Sequence, residues 1–166
     1  MGSLCHDPES ADLMPYCRPA VLSDAEQLEP KLREEDRREV TTLTGEPALQ
    51  SLIHGIVMSD MPIAIVDDDE TVLGLFGVVP TFDTPKTGAV WMLASPQLFQ
   101  HKRQFIRESR QWVDAMQSRY DVLFNVVDER NTVHVRWLKW CGFTFINRHQ
   151  LGTPETPFLE FVRIKP

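Results

Sequence analysis

The sequence predicts an α/β (α+β) fold, with a central mixed sheet and helices on both of its faces. Apolar runs of strand length, including 72–79 and 122–127, precede and follow the longest helical segment at 96–120. The run 122–127 is apolar almost throughout, as is typical of a strand buried on both faces. Strands on either side of a central helix fit a layered arrangement of helices and sheet.

The chain has 166 residues, which is enough for one domain with a real core and too few for two. Residues 1–19 are polar, carry three prolines and lack periodicity, so they are predicted to form an irregular N-terminal arm. Residues 20–166 are predicted to form a single domain.

The first part of this domain is predicted to be helical. Ser23 and Glu26 have the spacing of a capping box, which marks the start of a helix. A charged helix over 32–43 follows, and Gly45 is expected to end it. Its charged residues form either a surface for a partner or an ordinary solvated face. Pro47 fits the first turn of a third helix, whose apolar residues recur on one face: Ala48, Leu49, Leu52, Ile53, Ile56 and Val57.

Short apolar runs after this helix predict the strands of the sheet. The runs 63–66 and 72–79 are separated by four acidic residues, which indicate a hairpin loop. The loop lacks the spaced ligands and glycine of an EF-hand, so it is not predicted to bind calcium. The remaining strands are predicted at 89–94 and 122–127 and in a closing hairpin of 143–146 and 158–162.

Composition excludes several classes of function. The net charge of −7 argues against general affinity for nucleic acids. No apolar run approaches the roughly 18 residues that a membrane span needs, and no secretory signal is visible. Cys5, Cys17 and Cys141 are widely spaced and form no metal-binding pattern. A reduced intracellular setting and no metal are therefore expected.

The stretch NVVDERNTVHVRWLKWCGF at 125–143 carries the most specific signal. It contains a strand, then Asn131 as a helix N-cap, and Gly142 as the residue that ends the helix. This pattern and the order of elements over residues 19–164 resemble the GCN5-related N-acetyltransferase (GNAT) family. The segments LREEDRREV, AVWMLAS, FIRESRQWVD and NTVHVRWLKWCGF are similar to small GNAT-like proteins of podovirus-type bacteriophages, labelled acyltransferase-like or internal virion proteins.

The resemblance implies acetyl-CoA as cofactor, a virion or host protein as partner, and a location in the virion or the host cytoplasm. In the family the cofactor's pyrophosphate rests on a glycine-rich loop at the start of the central helix. Here no glycine occurs from 89 to 120. Either His101, Lys102 and Arg103 replace the backbone donors by direct contact with phosphates, or the phosphate site is lost and they form a solvated or partner-binding face. Asn131 matches the family's asparagine near the pantetheine arm of the cofactor.

Leu138 occupies the position at which many family members have a general-acid tyrosine. Other candidates for proton transfer are therefore considered: His134, Asp128, Glu129 and, in a loop, Asp83. Each has an alternative structural role, as a packed histidine or as a loop or capping carboxylate. Trp137 and Trp140 either fill the cofactor cleft or anchor their helix on the rest of the fold.

Three hypotheses about function follow. The first is a non-enzymatic GNAT-fold phage protein that is virion-associated or acts on a host protein, and the missing glycines and tyrosine favour it. The second is an N-acetyltransferase with an altered cofactor site, acting on a host or phage amine. The third is a module that binds CoA or a nucleotide without turnover. Fold alone does not decide among them.

Overall fold

A computed structural model describes residues 16–166 of the chain. Within this range seven strands form one mixed sheet, in the order β1-β2-β3-β4-β5-β7-β6. All neighbouring strands are antiparallel except β4 and β5, which are parallel. The strands are β1 (Tyr16–Pro19), β2 (Asp60–Val66), β3 (Val72–Pro80), β4 (Thr87–Ala94), β5 (Val122–Asp128), β6 (Thr144–Leu151) and β7 (Thr156–Ile164).

Helices pack on both faces of this sheet, as the sequence predicts. The first three pack on one face through a core that includes Leu28, Leu52 and Leu75. The last two pack on the opposite face, where Trp112 and Leu138 meet the sheet. The helices are α1 (Leu22–Leu28), α2 (Glu34–Thr44), α3 (Ala48–Met58), α4 (Lys102–Gln117) and α5 (Thr132–Trp140), with 3-10 turns at Glu29–Lys31 and Pro96–His101.

Two predictions about the start of the domain are corrected. Tyr16–Pro19 belong to the predicted arm but form an edge strand that pairs with Ile63–Val66 of β2; the rest of the arm, 1–15, lies outside the described residues. The predicted capping box at Ser23 and Glu26 is wrong. The N-terminus of the first helix is instead capped by Asp24, whose carboxylate accepts a hydrogen bond from the Val21 N–H at 2.8 Å.

The predicted helix at 96–120 is divided into a 3-10 turn and α4. In the turn, the Leu98 N–H donates to the Ser95 carbonyl at 3.2 Å, and the Lys102 N–H donates to the carbonyl of Phe99. His101 then leaves helical geometry, with φ of −111° and ψ of 31°, before α4 begins. At the other end, the Gln117 side chain donates to the carbonyls of Tyr120 and Asp121 and so ends the helix.

Glycines end two of the helices where the sequence predicts. Gly45 follows α2 with φ of 71°, and Gly142 follows α5 with φ of 89°. Both conformations favour a residue without a Cβ. A third glycine, Gly152, allows the β6–β7 loop to pack closely against α2, because a Cβ at this position would lie 2.3 Å from the Thr42 carbonyl oxygen.

The acidic loop between β2 and β3 is a hairpin turn. The Asp67 carboxylate accepts hydrogen bonds from the N–H groups of Asp69 and Thr71, both at 2.9 Å. Over residues 16–166, no cluster of His, Cys, Asp and Glu side chains is arranged to hold a metal ion. In the same range, no helix combines the length and apolar character needed to cross a bilayer.

The two cysteines among the described residues, Cys17 and Cys141, are in different chemical states. Cys17 is disulfide-bonded, so the expectation of reduced cysteines is wrong for this residue. Cys141 is a buried free thiol in the core between the sheet and the last two helices. Burial raises its pKa to about 12, which leaves it protonated and unreactive.

Candidate ligand-binding cleft

The parallel strands β4 and β5 separate soon after they meet. They pair only from Thr87–Ala89 with Val122–Phe124, although β4 continues to Ala94 and β5 to Asp128. Beyond the paired segment, the Asn125 side chain bridges the strands by donating to the Val90 carbonyl at 2.7 Å. Two adjoining cavities, of about 600 and 450 Å³, flank the separated strands.

The first cavity, of about 600 Å³, extends from the separated strands to the mouth between α2 and α3. Aromatic side chains form much of its wall, including Trp91, Trp112 and Trp137. Among the described residues no lysine or arginine lines it. Its ionisable groups are Glu39, Glu46, His54 and His134. Its polar lining therefore favours a ligand that carries positive charge or donates hydrogen bonds.

The second cavity, of about 450 Å³, lies between the end of β4 and the helices α4 and α5. Leu98, Phe105 and Ile106 contribute to its apolar wall, while its cations include Lys102 and Arg136. It adjoins an open groove on α4, lined by Lys102, Arg103, Ile106, Arg107, Arg110 and Trp140. An apolar cavity that leads to a row of cations fits an extended ligand with an anionic end.

Three residues line both cavities and so mark the junction between them: Met92, His134 and Trp137. Of these three only His134 can take up or release a proton near neutral pH. Its side chain is 14% exposed, so it is accessible from the cavities but largely removed from bulk water.

A buried cluster of charged residues on α2 closes the cleft at the end of β4. The Arg33 N–H donates to the Ala94 carbonyl at 2.9 Å, and the Asp36 carboxylate accepts from the Ala94 N–H at 3.0 Å. The other Asp36 oxygen accepts from the Arg33 guanidinium at 2.9 Å and from the Asn131 amide at 3.0 Å. The cluster therefore connects α2 to the sheet and to the start of α5.

Glu39 lies one turn further along α2 and reaches β5. Its carboxyl accepts a hydrogen bond from the Asp128 N–H at 2.8 Å. Burial, together with repulsion from the Asp36 and Asp128 carboxylates, raises the pKa of Glu39 to about 8. The carboxyl therefore titrates near neutral pH, although its hydrogen bonds from the Asp128 N–H and Asn131 oppose the shift.

His134 faces the second oxygen of that carboxyl. Its Nδ1 lies 4.0 Å from Glu39 Oε2 and has no hydrogen-bond partner among the described residues. Burial lowers the pKa of His134, and the nearby Arg33 guanidinium lowers it further against the opposing effect of Asp36. At neutral pH the imidazole is therefore neutral and can accept a proton.

The three carboxylate candidates from the sequence lie away from the cavities. Asp128 is fully buried but is held by the Arg130 side chain and N–H; although burial acts to raise its pKa, these bonds lower it. Glu129 is 41% exposed and pairs with Arg148 at 3.1 Å. Asp83 is exposed in the β3–β4 loop. None of the three lines either cavity.

Of the four candidates for cofactor binding, two line the cleft or its groove and two do not. Lys102 lines the second cavity and the groove, and Arg103 lines the groove. His101 sits at the bend before α4 and lines neither the cavities nor the groove. Asn131 is fully buried, and its side chain makes no capping bond but joins Arg33 and Asp36 instead.

Leu138 and the two tryptophans of α5 lie at the border between the core and the cavities. Leu138 is buried among the apolar residues of the core and also lines the first cavity, so no hydroxyl replaces the family tyrosine at this position. The Trp137 indole donates to the Ser109 hydroxyl at 2.8 Å and stacks on Phe105, and Trp140 donates to the Ile106 carbonyl. Both tryptophans anchor α5 on α4 and leave the cavities open.

The pattern in the sequence that could have revealed the buried charges on α2 is their spacing. Asp36, Glu39 and Thr42 recur every three residues along α2, so they share one inward stripe of the helix. The interpretation of the segment as a solvated or partner-binding face is wrong for Arg33, Asp36 and Glu39. Composition alone could not show this, because the exposed Glu34 and Glu35 are of the same type.

Solved structures with the same arrangement of elements are numerous. The chain is similar to a ribosomal-protein-S5-alanine acetyltransferase from Vibrio fischeri, with a TM-score of 0.63, 15% identity, and coverage of 92% of this chain and 96% of that one. It is similar to a GCN5-related N-acetyltransferase from Kribbella flavida, with a TM-score of 0.64, 19% identity, and coverage of 91% and 98%. The chain has the GNAT fold.

A third structure with this GNAT fold is the spermidine N-acetyltransferase from Vibrio cholerae, solved in complex with CoA and spermine. Its TM-score is 0.64 at 12% identity, and the match covers 91% of this chain and 95% of that one. A family model described as "Bacteriophage T7, probable scaffold protein Gp13" matches residues 71–150, from the start of β3 into β6. No curated protein matches the chain by sequence.

The residues of the cleft fit a CoA-type ligand in part. The strand separation, the apolar second cavity and the basic groove suit a pantetheine arm followed by phosphates. The start of α4 does not offer a glycine-rich loop, and the first N–H of the helix is already used by the 3-10 turn. Lys102 and Arg103 offer side-chain cations to phosphates at this position.

Proposed function

We propose that the protein is a GNAT-fold bacteriophage protein that is packaged in the virion or acts on a host protein, and that acetyl transfer is not its main role. The match of residues 71–150 to the family described as a probable phage scaffold protein carries this proposal. That segment includes β4, α4, β5 and α5, which form much of the cleft, while α2 and α3 complete the first cavity.

Two features of the cleft support a role without turnover. Leu138 offers no acidic hydrogen, and the start of α4 lacks the glycines that let a backbone approach phosphates.

The free edge of β4 offers one place for a bound ligand. Alternate residues of β4 turn their backbone groups toward β5, so the backbone groups of Val90, Met92 and Ala94 face the cleft. Val90 and Ala94 are already bonded to Asn125, Arg33 and Asp36, which leaves Met92 as the place where an extended ligand can pair with this strand.

A second function, binding of a CoA-type ligand with acyl transfer to an amine, is favoured by one specific observation. The two cavities meet at His134 and differ in their polar linings. The first has Glu39 and Glu46 and no lysine or arginine among the described residues, whereas the second has three cations and one carboxylate, Asp36, which Arg33 and Asn131 already bond. An anionic acyl donor and a cationic amine can therefore approach the same point from opposite sides. Acetyl-CoA is the donor that the GNAT fold implies, and no metal is needed for this transfer.

The first proposal is tested by locating the protein. Purified particles are separated on a density gradient, treated with protease to remove external protein, and analysed by mass spectrometry. A virion protein is recovered in full particles after protease treatment, at a constant ratio to the capsid protein. If the protein is absent from particles, affinity capture from infected cells tests the host-partner alternative; absence from particles together with no captured host protein contradicts the proposal.

The second proposal is tested by thermal unfolding with acetyl-CoA and with free CoA. A ligand at a hundredfold excess over its dissociation constant stabilises the folded state by about 2.7 kcal/mol, a shift of several degrees for a chain of this size. Combined Lys102→Ala and Arg107→Ala substitutions should remove most of the shift, because both side chains line the groove. Lys31→Ala, an exposed lysine outside the cleft, is the control. No shift at millimolar ligand contradicts this function.

A further inference from the structure

We infer that Glu39 and His134 form a proton-sharing pair at the junction of the two cavities, and that this single pair serves both the amine and the leaving sulfur of an acyl transfer. The inference rests on the second proposed function and assigns its proton chemistry to residues of this chain. Neither residue occupies the position of Leu138, and Glu39 is not among the candidates from the sequence.

The first argument is geometric. Glu39 lines the first cavity, and His134 lines both, with Nδ1 at 4.0 Å from Glu39 Oε2. The Nδ1 atom is buried and has no hydrogen-bond partner in the part of the chain that the structure describes. A buried imidazole nitrogen without a partner is costly unless another group reaches it. A small movement of either side chain would join the two groups, and a ligand in the cavities could reach the same atom.

The second argument concerns what surrounds the pair. Glu39 is faced by Asp36 of its own helix, by the end of β5 at Asp128, and by Asn131 before α5. His134 is faced by Asp36 and Arg33. Burial opposes charge on both members of the pair, and the carboxylates around Glu39 oppose a second negative charge. The pair is therefore able to hold one proton that either residue can carry.

The third argument follows the protons of the reaction. When an amine nitrogen attacks the acyl carbon of a thioester, a C–N bond forms and the C–S bond breaks with its electron pair on sulfur. A cationic amine first releases one proton to solvent; in the attack the nitrogen must then lose one proton and the sulfur must gain one. The pair accepts that proton in the form in which Glu39 is ionised and His134 is neutral: His134 Nδ1 takes the proton of the amine from the first cavity, and the Glu39 carboxylate balances the imidazolium. The pair then returns one proton to the sulfur from the second cavity, and ends in its starting state.

This arrangement accounts for the absence of a tyrosine at position 138. A separate general acid is unnecessary when the residue that accepts the proton also borders the cavity of the leaving group. The lining of the first cavity also indicates the amine. With carboxyl groups, aromatic walls and no cation among the described residues, it suits an amine on an apolar body.

The pair is tested first without any ligand, by NMR titration of the His134 ring; His134→Asn identifies its resonances. Proton sharing predicts that the ring titrates in two steps, one near the pKa of Glu39 and one at lower pH. Glu39→Gln, which keeps the shape and the acceptor for the Asp128 N–H, should remove the upper step. Glu129→Gln, on the surface, should leave both steps unchanged. A single step that Glu39→Gln does not alter overturns the pair.

The role in transfer is tested by thiol release from acetyl-CoA with 2-phenylethylamine, whose cation and aromatic body match the first cavity. Glu39→Gln and His134→Asn should each lower the rate at least tenfold and leave CoA affinity within about twofold. Glu129→Gln should keep the full rate. Full activity in either pair variant, or CoA binding without thiol release by the wild type, overturns the role in transfer. Failure of the wild type to bind CoA instead contradicts the second proposed function itself.

Discussion

Arg33, Asp36 and Glu39 show how single charged residues of this chain come to be buried. Removing a charge from water is expensive unless hydrogen bonds and opposite charges replace the solvent. Asp36 meets this condition fully, since it accepts from Arg33, Asn131 and the Ala94 N–H. Glu39 meets it only in part, because two carboxylates face it, and its raised pKa is the consequence.

Glu39 should make the stability of the protein depend on pH. Because the pKa of Glu39 is raised from 4.5 to about 8, the folded state binds more protons than the unfolded state between these values. The free energy of unfolding should therefore fall as pH rises from 4.5 to 8. His134, whose pKa is lowered, has the opposite effect, but only below its ordinary value of 6.5.

The window from pH 6.5 to 8 isolates the effect of Glu39. Within it, Glu39→Gln should flatten the slope, which cannot exceed about 1.4 kcal/mol per pH unit for one group. Urea unfolding of wild type and variant at each pH measures the difference, and this comparison cancels contributions that the two proteins share. Equal slopes in the two proteins would show that Glu39 is ionised throughout the window.

Asn131 should contribute to stability through its side chain rather than as a helix cap. It is fully buried and bonds Arg33 and Asp36. Asn131→Ala leaves these groups short of a partner and should cost about 1–3 kcal/mol in urea unfolding. Asn147→Ala is the control, because Asn147 is exposed and makes one long bond of 3.4 Å to Glu160. Equal effects of the two substitutions would contradict this role.

At the scale of elements, the sequence predicted most of the fold and less of the cleft. Apolar runs and turn residues in the sequence predicted most of the strands, the hairpin at 67–70 and the ends of α2 and α5 at their glycines, because these features depend on local chemistry. The division of the segment 96–120 depends on how Pro96–His101 packs against the sheet, which local periodicity does not report. Lys102, Arg103 and His134 were candidates from the sequence because they lie beside the motif positions, whereas Glu39 was not, because it comes from a distant helix that only the tertiary fold brings to His134.

The position of α2 should depend on Asp36 more than on any neighbouring carboxylate. Asp36→Ala leaves the Ala94 N–H and the Arg33 guanidinium without their buried partner, and should cost about 3–5 kcal/mol. Amide hydrogen exchange should show α2 losing protection before the sheet does. Glu35→Ala, in the same turn but 48% exposed, should change stability by less than about 1 kcal/mol. Loss of protection spread evenly over the sheet and α2 would contradict this anchoring role.

For the whole molecule, attraction of an anionic ligand depends on where the charges lie more than on the net charge. The chain carries a net charge of −7, yet Lys102, Arg103, Arg107 and Arg110 share one groove beside the second cavity. The groove can attract an anionic group to a protein that otherwise repels it. Any ligand that uses both the cavity and the groove should therefore bind through two contributions, one apolar and one electrostatic.

Salt separates these two contributions. Raising the ionic strength from about 0.05 to 0.5 M shortens the screening distance from roughly 14 to 4 Å, which weakens attraction between exposed charges. The dissociation constant of CoA, measured by calorimetry, should rise severalfold over this range. Pantetheine, which has no phosphate, should bind more weakly but with little dependence on salt, because only the cavity of about 450 Å³ holds it. Arg107→Ala should reduce the salt dependence for CoA and leave pantetheine unchanged. Equal salt dependence for the two ligands would show that the phosphates do not lie in the groove.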